Sequence, residues 1–131
     1  MQVITNIVLL ILLVSTYISA VRIGSFNLHQ YGSKKAADAE LTNYIAEILN
    51  DFDLAIIQEI SDATNKAPYV LFDALNKLSN SGAYSIALSQ RVGRSSTKEQ
   101  FAFFNRESTS GIKLINYYLY NDKQDYFERP P

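Results

Sequence analysis

Asp53-Leu54-Ala55-Ile56-Ile57-Gln58-Glu59 is the stretch on which the reading of this chain turns. Leu54 to Ile57 are consecutive apolar residues, two of them β-branched, so the segment predicts a short strand buried on both faces. Polar Gln58 and acidic Glu59 follow at once. An unpaired carboxylate is costly to bury, which puts Glu59 at the strand's open end or against a cation. Ligands of α/β sheets bind beyond the carboxyl ends of the strands, and Glu59 is therefore the first candidate for a metal ligand. The plain alternative is a strand-end glutamate in solvent or paired with an arginine.

Outward from this strand the pattern alternates. Val21-Arg22-Ile23-Gly24-Ser25-Phe26-Asn27 reads as a first strand, closed by Asn27 and followed by a loop with Tyr31-Gly32-Ser33. Ala37, Leu41, Tyr44, Ile45, Ile48 and Leu49 then fall at helical spacing. Beyond the central strand, residues 61–67 are polar and loop-like, and Pro68 suits the first position of a second helix, where its missing N–H costs nothing. Leu71, Phe72, Leu75 and Leu78 supply that helix's apolar face. From residue 83 the texture becomes β-rich: 83–88, 100–104 and 112–120 each read as a strand. The order β-α-β-α-β-β-β predicts an α/β layer with crossovers first and hairpins last.

At the amino end, Ile7 to Val14 form an apolar core too short to span a bilayer, and Ser19-Ala20 end it with small residues. Residues 1–20 thus read as a secretory signal peptide, although no Lys or Arg precedes the core. The expectation is a secreted chain, or one in the lumen of the secretory pathway, with no stable membrane association after cleavage. An uncleaved anchor is the other reading. The 131 residues suit one modest domain. With 12 basic against 13 acidic residues the chain lacks the broad positive field of an electrostatic nucleic-acid binder, so any such contact is local or carried by metal ions. There is no cysteine, hence no disulfide.

Three stretches together resemble the deoxyribonuclease I family of the endonuclease/exonuclease/phosphatase superfamily. They are Ile23-Gly24-Ser25-Phe26-Asn27, the Asp53–Glu59 strand, and Gly93-Arg94-Ser95-Ser96-Thr97-Lys98-Glu99 with the aromatic strand after it. Phe127, Arg129 and Pro131 are similar to a later Phe-x-Arg-x-Pro. The Gln-Glu element is common to the superfamily, and the Gly-Arg…Lys-Glu element favours its nuclease branch. The resemblance runs from about Val21 to the last residue. It implies the amino-terminal half of a two-sheet β-sandwich flanked by helices, truncated, with residues 21–131 as that part of a deoxyribonuclease I-like domain.

The implied chemistry is metal-assisted hydrolysis of a DNA phosphodiester, with Mg²⁺ as the ion and Ca²⁺ as a second ion the resemblance admits. Glu59 would be the carboxylate ligand and Asn27 would orient the phosphate or the ion's water shell. Glu99 would hold a catalytic histidine in its required tautomer. Arg94 and Arg129 would contact DNA phosphates, and His29, two residues past Asn27, matches a groove-facing position. Each has a plain counterpart: a turn asparagine, a glutamate paired with Lys98 or Arg94, surface arginines, an exposed loop histidine. Where the family commonly carries an arginine after the Gln-Glu carboxylate this chain has Ser61, and a family tyrosine is replaced by Thr97.

The family's two catalytic histidines belong to a second half, whereas this chain has one histidine. The resemblance therefore implies a fragment inactive alone. The alternative is a non-catalytic truncated product, a weak DNA- or partner-binding fragment. A sheet face left without its partner sheet would invite self-association. At roughly 25 cal/mol per Å², an uncovered apolar area on the order of 500 Å² forgoes about 12 kcal/mol.

Overall fold

In the computed structural model, residues 20–80, 82–94 and 96–130 are described. The leader expectation falls, all but Ala20, outside them. Eight elements follow in order: β1 (Ile23–Tyr31), α1 (Ser33–Ala36), α2 (Ala39–Leu49), β2 (Leu54–Ile60), α3 (Ala67–Leu78), β3 (Ser85–Leu88), β4 (Gln100–Asn105) and α4 (Glu107–Ser110). The strands form one mixed sheet in the order β1-β2-β4-β3. β1 and β2 are parallel, joined by α1 and α2, while β4 runs antiparallel to both its neighbours. Leu54–Ile57 is thus a central strand, as its apolar run dictates.

Side-chain alternation divides the sheet. Ala55, Ile57, Ala102 and Phe104 face the helices and are fully buried, packed with Leu49 of α2 and Leu71 and Leu75 of α3. Phe72 stacks on Phe104 at 6.2 Å between ring centroids. Ile86 pairs with Phe104 and lies on this same side. Gly24 is the close approach in the sheet: a Cβ there would stand 2.7–2.9 Å from the Phe26 and Phe52 rings.

Two expectations are corrected. In α2 the buried positions are Thr42, Ala46 and Leu49, while Tyr44 and Ile48 stand in solvent. The helix is fixed at its start by Asp38, whose carboxylate accepts the Leu41 N–H at 3.0 Å, and that register turns residues 44 and 48 away from the sheet. The predicted strand at 112–120 does not form, so the observed order is β-α-α-β-α-β-β-α, with two helices in the first crossover and a short closing helix. Asn105 Nδ2 donates to the Ile112 carbonyl at 2.7 Å, and the segment then passes along the sheet's second face instead of its edge. Ile112 and Leu114 line a cavity of about 220 Å³ with Leu54, Ile56 and Phe103 of the sheet, and Tyr117 to Leu119 line a second, of about 160 Å³, with Phe101 and Phe103. The second face is consequently part-covered by the chain itself, although Ile115 and Tyr118 remain 96% and 87% exposed.

Candidate active site at the β1–β2 edge

Because β1 and β2 are parallel and β4 antiparallel, the carboxyl ends of the first two meet the amino end of the third at one sheet edge. A cleft of about 180 Å³ lies there, lined by Asn27, Gln58, Glu59, Glu99, Gln100 and Arg129, among others. Four of the six site residues expected from sequence are therefore brought together: Glu59, Asn27, Glu99 and Arg129.

The edge is built on a bulge. Asn27 pairs with Gln58 and Tyr31 with Ile60, so Leu28, His29 and Gln30 stand opposite Glu59 alone. His29, Gln30 and Glu59 all take left-handed backbone conformations, with φ of 49°, 60° and 58°. For non-glycine residues each costs on the order of 1–3 kcal/mol, and such costs concentrate where a site requires the geometry. Here it delivers donors to one carboxylate. Asn27 Nδ2 donates to Glu59 Oε1 at 2.6 Å and the Gln30 N–H donates to Oε2 at 3.2 Å. Asn27 is itself aimed by the His29 N–H, which donates to its Oδ1 at 2.7 Å. Next to Glu59, Gln58 Nε2 donates to Ser25 Oγ at 3.0 Å.

These bonds set the charge. The Asn27 amide holds the Glu59 carboxyl below its ordinary range, against the upward push of desolvation, with help from the Gln30 N–H and from nearby His29 and Arg129. Across the cleft, buried Glu99 pairs with Arg129 Nε at 2.8 Å. Glu99 is placed by the isolated bridge between its backbone and Val92. Buried Gln100, the first residue of β4, has an Oε1 with no hydrogen-bond partner at the same cleft. An ionised carboxylate, amide oxygens and an orphaned buried carbonyl oxygen are hard donors, and this set fits Mg²⁺, which keeps several waters and takes few protein ligands. Among the described residues no group of three or more His, Asp or Glu side chains is close enough to cage a metal unaided.

The other two candidates lie outside the cleft. Exposed His29 lines a separate, larger depression with Lys34, Lys35, Ser61 and Asp62. Arg94 is engaged within the chain: Nε meets Asp125 Oδ1 at 2.9 Å, Nη2 donates to the Asp125 and Phe127 carbonyls at 2.5 and 3.2 Å, and Nη1 lies 3.6 Å from Glu128. It thereby fastens the segment that leads to Arg129.

Sequence reasoning passed over two residues. Asp62 sat in what read as a polar loop, yet its carboxylate accepts the N–H groups of Thr64, Lys66 and Ala67 at 2.8–3.0 Å and starts α3. Its signal was present: an Asp with Thr two residues on, ahead of a proline-opened helix. Lys35 drew no reading from the sequence, yet its ammonium donates to the Leu28 and His29 carbonyls. Nothing in the local pattern announces that role.

An α/β sheet edge with a hydrogen-bonded carboxylate facing an Arg–Glu pair defines a polar cleft with one unpaired negative charge. No family model matches the chain. Curated relatives do. Human deoxyribonuclease-1-like 2 is 36% identical over 113 residues, covering 86% of this chain and 37% of that protein. Human deoxyribonuclease gamma is 35% identical over 129 residues, 94% of this chain and 42% of that protein. Deoxyribonuclease-1 of Equus caballus is 35% identical over 117 residues, 86% and 40%. The sequence resemblance to the deoxyribonuclease 1 family therefore holds across nearly the whole chain, which spans about two fifths of the length of these relatives.

Proposed function

We propose that the cleft receives a DNA phosphodiester and that this chain supplies part of a divalent-metal-dependent endodeoxyribonuclease site, acting outside the cell or in the secretory lumen. The observation that carries the reading is the convergence of Glu59, Asn27, Glu99 and Arg129 on one cleft in a sequence similar to deoxyribonucleases. Among the described residues no helix is long and apolar enough to cross a membrane.

Glu59 would hold the metal, through lone pairs that Asn27 and Gln30 leave free. Bound Mg²⁺, or Ca²⁺ in its place, supplies polarisation of the phosphate and charge neutralisation at the leaving oxygen. Asn27 keeps the carboxylate ionised and fixed in direction. Arg129, held by Glu99, offers a planar guanidinium to phosphate oxygens. Glu99 is the partner of a histidine in this reading, and in this structure it is the anchor of Arg129. His29 and Arg94 extend the DNA contact beyond the cleft, Arg94 by holding the segment that carries Arg129. The chain's single histidine faces the neighbouring depression, an observation that favours a second reading: metal-dependent DNA binding without turnover.

Supercoiled plasmid incubated with Mg²⁺ separates the two. Nicking that disappears with EDTA and falls about a hundredfold or more in Glu59→Ala supports hydrolysis. Plasmid retained in a Mg²⁺-dependent, Glu59-dependent manner but never nicked supports binding alone. Neither effect removes both readings.

A further inference from the structure

We propose that Lys35 is a positioning residue for the Glu59 site: its ammonium clamps two consecutive carbonyls whose left-handed turn delivers the Gln30 amide to the Glu59 carboxylate. This rests on the metal-holding reading of Glu59 and deepens it. Lys35 Nζ lies 2.9 Å from the Leu28 carbonyl and 2.5 Å from the His29 carbonyl. Of its three donors, two are thus committed to one turn of backbone.

That turn is polarised. Its amide side serves the site, with the His29 N–H on Asn27 and the Gln30 N–H on Glu59. Successive N–H groups in such a turn form a concavity for negative charge. Its carbonyl side meets the Lys35 cation. Neither His29 nor Gln30 is glycine, so neither relaxes freely into positive φ, and the conformation must be held by its surroundings. Tyr31, buried and hydrogen-bonded to Thr42 at 3.1 Å, fixes the exit of the turn, and the pairing of Asn27 with Gln58 fixes its entry. Lys35 holds the middle. α1 is short, and its lysine reaches back over six and seven residues to do so. Without the ammonium the Leu28 and His29 carbonyls turn to water, and the Gln30 N–H leaves Glu59.

The test uses amide hydrogen exchange and calorimetric Mg²⁺ titration on the full chain. In Lys35→Met, protection at His29 and Gln30 and the Mg²⁺ affinity each fall about tenfold, the scale of one lost hydrogen bond. Lys35→Arg restores both, while protection at Ile57 and Phe104 stays unchanged in each variant. Should Lys35→Met lose the Ile57 and Phe104 protection as well, Lys35→Gln keeps a donor without the charge and must show the intermediate loss at Gln30. Unchanged Gln30 protection in the Met and Gln variants overturns the proposal. So does a freed Gln30 amide with unmoved, Glu59-dependent Mg²⁺ affinity. If Glu59→Ala leaves Mg²⁺ affinity intact while Lys35→Met still frees the Gln30 amide, the metal reading has failed and the clamp on the turn stands.

Discussion

Asp62 should govern much of the acid sensitivity of this chain, and the structure sets the size of the effect. Burial pushes its carboxyl up, yet the N–H groups of Ala67, Thr64 and Lys66 and the Thr64 hydroxyl more than offset this, and its pKa falls from an ordinary 3.8 to about 2. The side chain is only 6% exposed, so solvent does little to screen these bonds. At ~1.4 kcal/mol per pH unit, the drop is worth between about 2 and 3 kcal/mol of folding stability. The folded-state value lies below the unfolded one. The contribution is therefore complete above the unfolded value of 3.8 and is lost as pH falls through about 2. Asp62→Asn keeps one acceptor oxygen and removes the charge. In urea titrations followed by far-ultraviolet circular dichroism, the variant should be less stable than the parent by about 2–3 kcal/mol at pH 7. The gap should narrow as pH falls from the unfolded value of 3.8 toward about 2, because over that range the unfolded parent takes up a proton that the folded parent does not, while the Asp62→Asn side chain does not titrate. A gap that stays constant from pH 7 to pH 2, or no gap at pH 7, would refute the reasoning.

Three further outcomes follow from other parts of the chain. Arg106→Leu should cost about 3–5 kcal/mol in thermal unfolding, because the guanidinium is 3% exposed, stands 3.7 Å from Asp53 Oδ1 and lies 4.8 Å over the Tyr84 ring. Adding Asp53→Asn should recover part of that loss by removing the stranded charge. His29→Gly should raise stability by about 1 kcal/mol in the same assay, since φ of 49° strains any residue with a Cβ and the His29 ring is exposed. Ile115→Ser with Tyr118→Ser should leave stability within about 0.5 kcal/mol and lower any concentration-dependent mass in sedimentation velocity, because both side chains stand in solvent beside the sheet's second face.

What could be read in the sequence was whatever a short run of residues settles by itself. Leu54–Ile57 read as an inner strand, and the acidic residue closing it as one placed at the strand's open end or against a cation. Pro68 and Leu71, Phe72 and Leu75 marked α3 to within a residue. Where facing depends on register, the reading slipped. Tyr44 and Ile48 carry as much apolar surface as Thr42 and Ala46 or more, yet Asp38 fixes the helix start so that the smaller residues meet the sheet. Likewise Ile112–Tyr120 has the composition of a strand, and composition cannot distinguish pairing at an edge from lying across a face. The cleft was legible by residue identity alone: the sequence pointed to Glu59, Asn27, Glu99 and Arg129, but not to Gln100, Asp62 or Lys35, whose roles arise from elements distant in the chain.

The bulge is the feature no local pattern could show, since Leu28-His29-Gln30 contains no glycine, and it is also what the site depends on. Ile57 faces the helices and Gln58 the opposite side, so regular pleating would turn Glu59 back toward the face that Ile57 and Ile60 share, where both are fully buried. An ionised carboxylate there carries an effective penalty of several kcal/mol. Left-handed geometry at Glu59 costs on the order of 1–3 kcal/mol and turns the carboxylate out to the edge, where Asn27 and Gln30 meet it. The smaller cost wins. The same comparison explains why β1 must bulge in step: with one residue of β2 turned out of the ladder, three residues of β1 span the gap before Tyr31 re-pairs with Ile60. Of the amides on that detour, Gln30's donates to the acid and His29's aims the Asn27 side chain that also donates to it. On this argument a variant that restores regular pairing across Leu28–Gln30 would be forced either to bury the Glu59 charge or to protonate it, and in both cases it would forfeit the carboxylate on which metal binding at this edge is proposed to rest.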